Sequence, residues 1–201
     1  MSVRLVVFCL RRTLISYFYH RNVIRYCKRP FLKDPELGYD VDENLDVEAM
    51  NAKLIANWNS VVKPDDWVYH LGDFMMGSDA QARTKAIRKQ LNGYITLVLG
   101  NHDRSRKFYL DNGFDEVARE LSVSLQRTKV FMRHHPPVRP EAWCDEYDIV
   151  LCGHVHEKWL HHGKVVNVGV DQWNYTPVTL DTLLKVNEPG YIHHRWQPDG
   201  H

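Results

Sequence analysis

Short runs of apolar residues recur along the chain, separated by longer stretches in which apolar positions return every three or four residues. The runs are Val3 to Phe8, Trp67 to Leu71, Ile95 to Leu99, Val130 to Met132, Ile149 to Cys152 and Val165 to Val168. Each is brief and nearly continuous, the pattern of a strand covered on both faces. Between them Val47, Met50, Leu54, Trp58 and Val61 put one apolar stripe on a helix. Ser78 is placed to cap a second helix through Leu91, with Gly93 just past its end. A third is expected from about Ser105 to Asn112, stopping at Gly113. Strands alternating with helices predict a layered α/β domain. No repeat or Gly/Ser linker divides the 201 residues. We therefore read residues 1–201 as one domain, with about 188–201 as a C-terminal tail.

Composition narrows this picture only a little. The formal net charge of +1 gives no electrostatic case for general nucleic-acid binding. No apolar stretch approaches the length of a membrane span, so no membrane partner is expected. The four cysteines lack C-x-x-C spacing, which indicates neither a thiolate zinc site nor a disulfide framework and fits a cytoplasmic protein. Twelve histidines are the unusual count. Imidazole is the commonest metal ligand, so their placement decides what they mean.

Four apolar runs end abruptly in residues able to bind metal. "VYHLGDF" ends in Gly72 and Asp73, and "ITLVLGNHD" in Asn101, His102 and Asp103. "VFMRHHPP" carries His134 and His135, and "IVLCGHVH" carries His154 and His156. Ligands of α/β sheets gather beyond the carboxyl ends of strands, where the loops converge. A carboxylate such as Asp73 can bridge two cations, while imidazoles and an amide oxygen suit Mn, Fe or Zn. Glycines before Asp73, Asn101 and His154 let the backbone turn close to an ion.

These blocks resemble the signature of the calcineurin-like metallophosphoesterase family. The flanking segments "NVIRYCKRPF", "NWNSVVKPDDWVYHLGDF" and "VNVGVDQWNYTP" also resemble its small bacterial and phage members, so the likeness runs from about Asn22 to Leu180. The resemblance implies a β-sandwich of two mixed sheets flanked by helices, with two divalent metal ions at one end. It implies hydrolysis of a phosphate mono- or diester by a metal-activated hydroxide, on a phosphorylated small molecule or nucleotide. Asp73 would bridge the metals; Asn101, His134 and His154 would hold one, and His156 the other. His134 rather than His135 is implied, because the family reads histidine, any residue, proline. His102 would assist the leaving group, and Asp103 would hold its imidazole. A non-catalytic relative that binds a metal or a phosphorylated ligand, and a nuclease, are the alternative readings.

One block of the signature is missing. The family opens with Asp-x-His after its first strand, yet no Asp or Glu precedes Asp34. Anchoring on Phe18-Tyr19-His20 puts Ile15 and Tyr17 at those two positions, which makes residues 1–17 atypical and leaves the second metal few ligands. Codons for Arg11 to Ser16 can be chosen so that the third base opens a frame reading Ser-Asp-Thr-His-Phe. Sequencing the gene over codons 8 to 20 therefore tells a lost motif from a misread one.

Overall fold

The computed structural model describes residues 11–77, 79–138 and 145–193. Two five-stranded sheets and the helices and loops packed on them share one large cluster of buried apolar residues. The first sheet contains β1 (Arg11–Leu14), β2 (Trp67–His70), β3 (Tyr94–Val98) and β4 (Glu116–Ala118), all parallel, with β10 (Val178–Thr179) antiparallel on the outer side of β1. The second contains β5 (Glu120–Leu125), β6 (Thr128–Arg133), β7 (Ile149–Cys152), β8 (His161–His162) and β9 (Val165–Asn167), in the order β5-β6-β7-β9-β8. Its centre, β6-β7-β9, is parallel and its two edges antiparallel. Parallel strands need crossovers. These are supplied by α1 (Arg21–Tyr26) and α2 (Val47–Val61) after β1, α3 (Ala80–Arg88) after β2 and α4 (Arg106–Asp111) after β3. A last helix, α5 (Leu180–Leu184), follows β10.

The apolar runs from Trp67 onward all become strands because both of their faces are covered. In β7, Ile149 and Leu151 join the core between the sheets, while Val150 and Cys152 pack with Phe131 and Val165 on the opposite face. The stripe on α2 buries Met50, Leu54 and Trp58, and Asp46 caps it by accepting the Ala49 N–H at 2.9 Å. Ser105 caps α4 in the same way through the Phe108 N–H. The second predicted helix is shorter than expected, ending at Arg88, and its predicted cap Ser78 lies outside the described residues.

The first strand departs most from expectation. Val3 to Phe8 lies outside the described residues, and the strand beside β2 is the polar segment Arg11–Leu14. It is recruited by position: Leu14 pairs with His70 at the sheet centre, and Leu14 and Ile15 supply the apolar contacts. Beyond Asn187 the described chain has no helix or strand. Among the described residues no helix is long and apolar enough to cross a membrane.

Candidate metal centre

The polar residues after β2, β3, β6 and β7 meet at one end of both sheets. Tight backbone turns make the meeting possible. Gly72 has φ +96°, and a Cβ there would lie 2.5 Å from the Gly100 nitrogen and 2.6 Å from His134 Nδ1. A Cβ on Gly100 would strike the Asp73 carboxylate and lie 2.7 Å from the Asp73 nitrogen. Only glycine lets these two strand exits cross.

Asp73 is buried, and its Oδ1 accepts the His102 backbone N–H at 2.9 Å. Its Oδ2 lies 3.2 Å from Nε2 of His134, which is itself 3.1 Å from Asn101 Oδ1. The other His134 nitrogen donates as Nδ1–H to the Leu71 carbonyl at 2.7 Å. That bond fixes the ring and aims Nε2 at the two oxygens, the arrangement metal-ligating histidines adopt. Burial opposes charge on both partners, but the contact between Asp73 and His134 wins. It lowers the pKa of Asp73 and raises that of His134.

His154 completes the group. Its ring centroid is 5.3 Å from that of His134 and 4.2 Å from that of His135. Nitrogens of these three histidines lie within 4.8 Å of one another, close enough to share an ion. Burial, then the neighbouring His135 and His134, lowers the pKa of His154 to about 4, which keeps it neutral and able to ligate. Of the two adjacent histidines, His134 is the buried one that points at Asp73 and Asn101, and His135 is exposed. The donor types of Asp73, Asn101, His134 and His154 suit a divalent cation of the borderline class, with His134 shared between the Asp73–Asn101 contacts and the three-histidine group.

His102 and Asp103 separate. The imidazole of His102 stands at the exposed mouth, its centroid 6.5 Å from that of His20. Asp103 does not orient it, contrary to what the resemblance implies. Its carboxylate accepts N–H groups from Asp73 (2.7 Å), Gly100 (2.7 Å) and Phe74 (3.0 Å), and the Tyr109 hydroxyl at 2.6 Å. It ties the two ligand loops together. Two strand exits that need their loose N–H groups gathered account for this choice.

The side where a second ion would sit is different. Ile15 directly follows β1 and is fully buried against Gly153, where a Cβ would run into it. Tyr17 has φ +62° and is 1 % exposed, its ring stacked on His156 with centroids 4.4 Å apart. Burial first, then the charges of Asp73 and Asp171, raises its pKa well above the ordinary value. His20 caps α1, Nδ1 accepting the Val23 N–H at 3.1 Å. Its tie to that helix leaves the position of the missing histidine to Tyr17. Ile15 supplies no donor on this side, where the donors that come close to one another are Cys27, His156 and Asp171.

Beneath this pocket is a pair that the motif search missed. Arg29, fully buried, donates from Nε and Nη2 to the two oxygens of Asp171 at 2.7 and 2.9 Å. Both residues lie in segments singled out above, "NVIRYCKRPF" and "VNVGVDQWNYTP". Nothing in either one reveals that the charges face each other 142 positions apart.

Comparison with known proteins fits this geometry. The model of the calcineurin-like phosphoesterase superfamily domain matches residues 50–185. The uncharacterized protein MJ1445 of Methanocaldococcus jannaschii is 32 % identical over 184 residues, covering 88 % of this chain and 90 % of its own. The gene 66 protein of Mycobacterium phage L5 is 31 % identical over 158 residues, covering 64 % of this chain and 76 % of its own. The crystal structure of AQ665, a protein of unknown function from Aquifex aeolicus, superimposes with a TM-score of 0.65 at 24 % identity. That match covers 88 % of this chain and 98 % of the other, and it bears on the fold.

Proposed function

This chain belongs to the calcineurin-like phosphoesterase superfamily, and we propose that it hydrolyses a phosphate mono- or diester at the cluster of Asp73, Asn101, His134 and His154. The observation that carries the reading is the convergence of His134 Nε2, Asp73 Oδ2 and Asn101 Oδ1 within about hydrogen-bond distance, with His134 fixed by the Leu71 carbonyl. A divalent cation such as Mn, Fe or Zn held there would act as a Lewis acid toward a phosphoryl oxygen. Asp73 supplies the negative charge that retains such an ion, and the Leu71 carbonyl keeps the His134 nitrogen aimed. Asp103 holds the Gly72 and Gly100 turns in register so that the donors stay together. His102, tethered through its backbone to Asp73 with its imidazole at the mouth, is the group we assign to proton delivery to the departing oxygen. Such an acid contributes roughly 10²–10⁴-fold. The substrate class is a phosphorylated small molecule or nucleotide.

The test is hydrolysis of bis(p-nitrophenyl) phosphate and p-nitrophenyl phosphate with and without Mn²⁺. The expected result is metal-stimulated release of nitrophenol that Asp73→Asn abolishes. His102→Ala should lower the rate by about 10²-fold or more while metal affinity is retained. Ile15 and Tyr17 favour a second reading, a non-catalytic module that holds a metal and a phosphorylated ligand. Metal-dependent binding of phosphate with no turnover of either ester would select it.

A further inference from the structure

We infer that the site takes one divalent cation and not two, because Ile15 and Tyr17 occupy the ground on which a second would stand. The inference rests on the metal reading just given and concerns the number of ions. A second ion beside Asp73 and His156 needs donors from the segment that follows β1. That segment is Ile15-Ser16-Tyr17, where Ile15 and Ser16 are committed elsewhere and Tyr17 lays its ring on His156, its buried hydroxyl making no hydrogen bond. Ile15 offers no lone pair. It is also pinned between the sheets, its N–H donating to the Val168 carbonyl at 3.2 Å and its carbonyl accepting the Val170 N–H at 3.1 Å. Ser16 Oγ is buried and hydrogen-bonded to His70 Nε2 at 2.7 Å.

Tyr17 lies flat on His156, with an interplanar angle of 25°. Its ring, rather than an oxygen or nitrogen donor, is what the pocket presents to His156. Besides Asp73, the nearby carboxylates are Glu157, which reaches the Cys27 thiol, and Asp171, 3.8 Å from His156 Nδ1. Both oxygens of Asp171 are held by Arg29, whose guanidinium carbon is 5.9 Å from the Tyr17 ring centroid. Cys27, His156 and Asp171 come close enough to share an ion. A cation among them would have to share Asp171 with the buried Arg29 guanidinium, whose positive charge opposes it. The His154 side differs, with the Asp73 carboxylate and the Asn101 amide oxygen on His134 and the three imidazoles of His134, His135 and His154 close together.

The number of ions is measured by titrating the full chain with MnCl2 by calorimetry and by the Mn²⁺ electron paramagnetic resonance spectrum of the loaded protein. The expected result is a stoichiometry of one and a spectrum of isolated Mn²⁺. His154→Ala should lose the ion, and His156→Ala should keep a stoichiometry of one. Ile15→Asp combined with Tyr17→His should raise it to two, with spin coupling between the ions. If that double variant does not fold, the unmodified chain and His156→Ala decide alone. Two ions or a coupled spectrum in the unmodified chain, or loss of the ion in His156→Ala, would overturn the inference while leaving the proposed metal site intact. No ion at all would overturn both.

Discussion

At Gly100 the chain leaving β3 passes directly under the Asp73 carboxylate, with no room for even a methyl group. Gly100→Ala therefore has to push Asp73 off His134 and Asn101. We expect metal affinity to drop along with about 1–3 kcal/mol of stability, read by calorimetry and urea unfolding. Asp103→Asn strikes the same turns differently, turning one acceptor oxygen into a donor that faces N–H groups. Three backbone amides and the Tyr109 hydroxyl compete for what remains, and a loss of about 2–3 kcal/mol in urea is expected. These residues were partly legible beforehand. Strand, glycine, then ligand was readable because a backbone turning near an ion needs glycine. The work of Asp103 was not, because its partners are main-chain amides, and a sequence carries no mark of which amides lack partners. His134 could be chosen over His135 through Pro136, but only its bond to the Leu71 carbonyl gives a physical cause for the choice.

Among the elements, strands with two covered faces were visible as apolar runs, and those with one open face were not. In β5 exposed positions alternate with partly buried ones, so Glu120 to Leu125 reads as a polar segment until it is paired with β6. β1 was missed for another reason. Its sequence, Arg-Arg-Thr-Leu, is polar, and its place comes from the parallel register with β2 and the antiparallel pairing with β10. The link between Arg29, just beyond α1, and Asp171, in the turn at Val170–Gln172, is a contact between distant elements. Removing one partner strands the other as a buried charge. Arg29→Met and Asp171→Leu should each cost about 3–5 kcal/mol in denaturant unfolding, while the double variant recovers most of the loss.

For the whole molecule, acid is the condition that separates folded from unfolded most clearly. His70 is fully buried beside Ser16, and burial drives its pKa down to about 3 against the attraction of Asp73. In the unfolded chain a histidine titrates near 6.5. Above that pH both states are neutral there and the full stability is present. As pH falls from about 6.5 toward 3, only the unfolded chain takes up the proton, and stability declines by up to about 1.4 kcal/mol per unit. Urea unfolding of wild type and His70→Gln at pH 7 and pH 5 isolates this share. The variant should lose less than the wild type on acidification, by about 2 kcal/mol. His20, whose pKa burial lowers to about 4, adds to the slope in the same direction.

Ile15, seated against Gly153 and bonded to both neighbours of Gly169, also limits how this chain can change. Its burial is worth about 1.5–3 kcal/mol, and an aspartate in its place would be a dry, unpaired carboxylate until an ion arrived. Tyr17→His alone would uncover His156 without completing a ligand set. Each single step toward a two-ion centre therefore runs downhill in stability with no catalytic return, and only the pair together reaches new ground. A lineage carrying this sequence sits on its own ridge, cut off by a valley from any two-ion version of itself.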